Sequence, residues 1–149
     1  MERGLASAKA DTIELLSRLK DRPELDLTRV ILAGQSRGGF LSVALAADGL
    51  PGVIGVMNFS GGWHGEPCPG GGSFNQLKFG EFGRRAAVPI LSFYGDSDSY
   101  FSAGHIRTFL KLLEAQGGKS YGVILPGYSH VRPIGEAQVW GEKAMELLR

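Results

Sequence analysis

At 149 residues the chain is long enough for one domain of ordinary size and little more. Hydrophobic residues at 43% and charged residues at 21% exclude a disordered composition. A net charge of +1, with no basic run longer than Arg84-Arg85, leaves non-specific nucleic-acid binding without its electrostatic footing. One cysteine, Cys68, excludes an internal disulfide framework, and no apolar run reaches the roughly 20 residues of a membrane span.

In chain order, apolar residues Leu5, Ala8, Leu15, Leu16 and Leu19 recur at helical spacing, and Asp21-Arg22-Pro23 ends that run. Residues 29–33 form a short, continuously apolar strand ending at Gly34. A helix is expected over 38–48, with Phe40, Leu41, Ala44 and Ala47 inward and Gly49 just past its end. A second apolar strand covers 53–59. A Gly/Pro-rich loop over 61–73 follows, with Gly70-Gly71-Gly72 read as a flexible connection. Next comes a weaker amphipathic stretch through Phe74, Leu77 and Phe82. A third strand (89–94), a helix (103–116), a fourth strand (121–125) and a last helix (135–148) complete the chain. Buried strands separated by helices predict a single α/β domain over 1–149: three layers, with a mainly parallel sheet of about four strands flanked by helices. In such sheets ligands bind outside the carboxyl ends of the strands, and the glycine-rich loops fall there.

Gly34-Gln35-Ser36-Arg37-Gly38 fits G-x-S-x-G, a pattern short enough to arise by chance. Its setting between an apolar strand and an amphipathic helix is what a tight turn exposing a nucleophilic serine requires; otherwise Ser36 is a helix N-cap. A serine hydroxyl needs a base, and the base an orienting acid. Tyr94-Gly95-Asp96-Ser97-Asp98 follows the third strand, and Gly127-Tyr128-Ser129-His130 follows the fourth, so the order Ser, Asp, His is satisfied. Asp98, deeper in its turn, is preferred to Asp96 because the acid must reach His130; Asp96 is expected in an Asx-turn.

Trp63, His64 and Tyr100 follow strand ends and are candidates for substrate contact, with ordinary packing the other reading for the two aromatics. His105, one turn into a helix, reads as a surface or capping residue. His64-x-Glu66-x-Cys68 offers three mixed hard and soft ligands without a second thiolate, so no metal site is expected.

Taken together, Gly34-Gln35-Ser36-Arg37-Gly38-Gly39, Asn58-Phe59-Ser60-Gly61-Gly62, Tyr94-Gly95-Asp96-Ser97-Asp98 and Gly127-Tyr128-Ser129-His130 resemble the α/β-hydrolase superfamily, most closely dienelactone-hydrolase-like proteins. The resemblance covers nearly the whole chain. It implies Ser36 as nucleophile, Asp98 as acid and His130 as base. Dienelactone hydrolases proper use cysteine where this chain has Ser36, so a serine esterase is the nearer expectation. The family fold has about eight strands with the nucleophile after the fifth, whereas here the nucleophile follows the first. The resemblance therefore reaches the C-terminal half of that fold. It leaves the Arg37 amide as one oxyanion donor, with no source for the second.

The expected activity is hydrolysis of a small carboxylic ester through an acyl-enzyme on Ser36, without a cofactor. A peptidase or amidase using the same three residues remains an alternative, as does an impaired hydrolase fragment acting in binding or assembly. The apolar strand at 30–33, unpaired on one side, is expected to favour self-association through that edge, a later start than its relatives being the other explanation. No nucleic-acid or membrane partner is expected. Met1-Glu2-Arg3-Gly4 lacks a signal peptide's apolar core, which makes the cytoplasm the default compartment.

Overall fold

The computed structural model of the chain describes residues 1–115 and 120–147. Its elements run α1 (Glu2–Arg18), β1 (Val30–Gln35), α2 (Arg37–Ala47), β2 (Val53–Phe59), α3 (Gly71–Arg85), β3 (Ile90–Gly95), α4 (Ala103–Glu114), β4 (Ser120–Leu125), α5 (Arg132–Gly135) and α6 (Ala137–Leu147). Among the described residues the strands form one four-stranded sheet in the order β1-β2-β3-β4, and every pairing is parallel.

The strands lack polar alternation because both faces of the sheet are covered. On one face Val56, Ile90 and Tyr94 pack under α2, α3 and α4 through Phe40, Val43, Phe79, Phe82, Ile106 and Phe109, with Leu5 of α1 at the margin. On the other, Met57, Phe59, Leu91 and Phe93 meet Val139, Trp140, Ala144 and Leu147 of α6. Side chains that alternate along β2 and β3 thus feed two separate apolar layers. Phe40 is the hub of the first, its ring centroid 4.9 Å from that of Phe79, 5.4 Å from Phe82 and 6.0 Å from Trp63. Deleting so enclosed a ring costs about 3–5 kcal/mol.

Four expectations need correction. Gly71 and Gly72 open α3 instead of forming a flexible connection. A methyl on Gly71 would lie 2.5 Å from the Gly65 carbonyl oxygen, and one on Gly72 2.8 Å from His105 Nε2, so these glycines allow close packing. Leu77 is 60% exposed, and the inward stripe of α3 is Asn75, Phe79 and Phe82. The last helix is broken at Glu136, whose backbone is non-helical and whose carboxylate accepts from the Tyr128 hydroxyl and from Arg132 Nε. Finally, the α1 residue Leu15 is 56% exposed; Leu5 is the buried residue of that helix. The expected helix ends at 116 and 148 lie outside the described residues.

Candidate active site

The strand β1 delivers Ser36 into a turn at φ 57°, ψ −121°, a conformation rare for a residue with a side chain and costing about 1–3 kcal/mol. The surroundings hold it there. The Ser36 N–H donates to the Phe59 carbonyl at 2.9 Å, and the Ser36 carbonyl accepts from the N–H groups of Phe40 at 3.1 Å and Gly62 at 3.3 Å. Ser36 occupies the N-cap position of α2, yet its side chain makes no capping bond. The N-cap explanation of this serine therefore fails, and the hydroxyl is not committed to the helix. Arg37 is the first residue of α2, so its amide belongs to the first turn, where N–H groups have no intrahelical acceptor. Its side chain lies back, Nε donating to the Trp63 carbonyl at 3.0 Å.

The loops after β3 and β4 bring Asp98 and His130 together: His130 Nδ1 and Asp98 Oδ2 are 2.7 Å apart. The Asp98 side chain has 0% exposure. Its other oxygen accepts from the backbone N–H of Tyr100 at 2.7 Å and of Phe101 at 3.1 Å. The same turn surrounds the imidazole, with the Tyr100 ring centroid 4.5 Å and that of Phe101 5.8 Å from the His130 ring. One short segment thus supplies both the acid and the aromatic walls of the histidine. The fixed Asp98 carboxylate selects the tautomer in which Nδ1 carries the proton and Nε2 accepts.

Asp96 does something other than the local Asx-turn expected of it. Its Oδ1 accepts from the Gly127 N–H at 2.7 Å, joining the β3 and β4 loops. The Gly127 turn, at φ 73°, presents its amide outward, and the nearest carboxylate takes it.

A cleft of about 330 Å³ opens beside Ser36 and is lined by Arg37, Trp63, His64, Tyr100, Phe101 and Cys68 among others. All three predicted contact residues therefore border one space with the serine. Trp63 also packs into the core, being 9% exposed, whereas Tyr100 is 53% exposed. Partial burial, the Arg37 charge and the chain's amino group push the His64 imidazole below its ordinary pKa. His105 lies apart from the cleft lining. Its N–H is capped by Ser102 Oγ, and its Nδ1 sits 2.9 Å from Glu66 Oε2. Glu66 also accepts the Ser102 N–H at 2.7 Å, which holds its carboxyl below the usual range and fastens the 61–70 loop to the start of α4. Glu66 is thus engaged away from His64 and Cys68, and among the described residues no group of three His, Cys, Asp or Glu is arranged to hold a metal ion.

Two buried amides were not singled out from the sequence. Asn75, fully buried, accepts the Trp63 N–H at 2.9 Å and donates to the His64 carbonyl at 2.7 Å, fixing that wall of the cleft. Its signal was a polar residue four and seven positions before Phe79 and Phe82, on the apolar stripe of α3. Asn58, fully buried beneath Ser36, donates to Ser92 Oγ at 3.1 Å and to the Tyr94 hydroxyl at 3.2 Å. That hydroxyl in turn donates to the Gly61 carbonyl at 2.8 Å, and burial pushes the phenol's pKa upward.

No protein-family model and no curated protein matches the sequence. Solved structures do match. A Klebsiella pneumoniae protein described as a dienelactone hydrolase superposes with a TM-score of 0.68 at 20% identity, over 97% of this chain and 58% of its own. The Pyrococcus furiosus esterase Pf2001 gives 0.73 at 14% identity, over 94% and 60%. The fold is that of the α/β-hydrolases. The acylaminoacyl peptidase of Pyrococcus horikoshii shares it too, with a TM-score of 0.73 at 15% identity over 99% of this chain and 28% of that one. This chain thus spans about three-fifths of the first two neighbours' length, and within this α/β-hydrolase fold Ser36, Asp98 and His130 all sit on loops at the carboxyl ends of the strands.

Proposed function

We propose that this chain is a serine hydrolase of small carboxylic esters. The reading rests above all on one observation: a serine in a strained strand-to-helix turn shares one end of a parallel sheet with a buried carboxylate–imidazole pair. Esterases among the structures of the same fold support it at the level of hydrolase chemistry.

In this mechanism Ser36 Oγ attacks the ester carbonyl while His130 Nε2 takes the hydroxyl proton. Asp98 keeps the imidazole oriented and stabilises the imidazolium. The Arg37 amide donates to the oxyanion, aided by the N-terminal end of α2. His130 then returns the proton to the leaving alcohol, and a water, deprotonated by the same imidazole, releases the acid from Ser36. Trp63, His64 and Tyr100 border the acyl or alcohol group. The steps call on no cofactor.

Intact-mass measurement after treatment with a fluorophosphonate tests this directly. One adduct on Ser36, lost in Ser36→Ala and suppressed in His130→Ala, is expected, together with turnover of p-nitrophenyl acetate. Asp98→Asn should lower that turnover by on the order of 10³–10⁴-fold, through loss of the correct tautomer. A folded wild-type chain that takes no adduct and turns over no ester overturns the proposal in favour of a binding role. Turnover confined to acyl-amino anilides would move it to amide substrates.

A further inference from the structure

The loop carrying His130 is fastened mainly from one side. Asp96 Oδ1 accepts the Gly127 N–H, the Ser97 N–H donates to the Tyr128 carbonyl at 3.0 Å, and Asp98 holds the imidazole, all three from the turn after β3. The flanking Ser129 and Val131 are exposed. Such fastening fixes the histidine relative to its acid but leaves its distance to the serine to the rest of the molecule. Among the described residues one side-chain hydrogen bond joins the two parts directly. Gln35, the half-buried last residue of β1 and the immediate neighbour of Ser36, donates from Nε2 to the His130 carbonyl at 3.3 Å.

We infer that Gln35 is a positioning residue that sets the span between Ser36 and the His130 imidazole, a role that rests on the hydrolase reading above. The backbone around Gln35 suits that role. The next residue's N–H is bonded to the Phe59 carbonyl on β2, and β1 is in register with β2 through the Gln35–Phe59 pair. The amide therefore projects from the most firmly held part of the turn. A misplacement of about 1 Å between nucleophile and base costs on the order of 10²-fold in rate, so even a partial release of the loop is measurable.

Two variants read this out. In Gln35→Leu the donor is lost at nearly constant volume. The turnover number for p-nitrophenyl acetate is expected to fall about 5–20-fold with KM within twofold, and the rate of fluorophosphonate labelling should fall in parallel. In Gln35→Glu a carboxylate is placed beside the His130 backbone, in a surrounding whose other charged group is Asp98. The NMR titration midpoint of the His130 ring should then rise by about half a unit or more. Variants with altered melting temperature but unchanged turnover, KM and midpoint would show a merely structural amide and overturn the inference. The NMR titration needs no turnover, so the two failures separate. A midpoint that moves in a protein without labelling or turnover removes the hydrolase reading and keeps the Gln35–His130 contact. Normal labelling with indifferent variants removes the role of Gln35 alone.

Discussion

A methyl group on Gly34 would collide with the backbone of Gly38 and lie 2.7 Å from the amide nitrogen of Gly39. One on Gly39 would lie 2.5 Å from Asn58 Oδ1 and 2.8 Å from the Gly34 carbonyl oxygen, whereas one on Gly38 would meet nothing within 4 Å. The backbone around Ser36 thus depends on the first glycine of G-x-S-x-G and on the glycine just after the motif, while the motif's own second glycine has room to spare. Gly34→Ala and Gly39→Ala should each destabilise the fold by about 1–3 kcal/mol or prevent it from forming. Gly38→Ala, in the first turn of a helix, should be neutral or gain up to about 1 kcal/mol. Urea unfolding of the three variants gives the comparison; equal losses at Gly38 and Gly39 would contradict this account.

The helix α3 supplies no chemistry of its own, yet its Asn75 holds both the amide of Trp63 and the carbonyl of His64. Asn75→Ala leaves two buried backbone groups without partners, at a cost of about 1–3 kcal/mol. We expect KM for neutral esters to rise more than the turnover number falls, which steady-state kinetics measures; a change confined to turnover would place the effect at Ser36 instead. Elements whose apolar residues are continuous, such as 53–59, were legible from the sequence to the residue, because burial on both faces leaves little freedom of assignment. The loops carrying Ser36, Asp98 and His130 were legible from their place after strands, and the 2.7 Å contact between the last two agrees with the preference for Asp98 over Asp96. Other features were not legible. Asn75 does its work through contacts 11 and 12 residues away, Gln35 through one 95 residues away, and Gly71 and Gly72 matter for what packs against them. A local pattern carries no such information.

At the scale of the molecule, β1 is the edge of the sheet among the described residues, paired on one side with β2. Its Val30–Ala33 run is apolar and carries no charge, and Ala33 is exposed. An edge of that kind is a template for pairing with another chain. Ala33→Lys should lower the weight-average mass seen by sedimentation in concentrated samples, since a lysine at the edge opposes strand addition. A wild-type chain that stays monomeric at all concentrations would exclude association through β1.

The strand order is also the chain order. Each strand leaving a ribosome would find its partner already laid down, and each pairing closes one crossover of moderate length, for which the entropic cost grows slowly. Assembly can then proceed from the amino end one βα unit at a time, without waiting for a distant segment to return. Ser36 would be in its turn as soon as β2 docks, through the Phe59 carbonyl, while the Asp98–His130 pair must await the arrival of β4 and the loop beyond it. On this route a nascent chain presents a shaped but unactivated serine, and reactivity is the last property the polypeptide acquires.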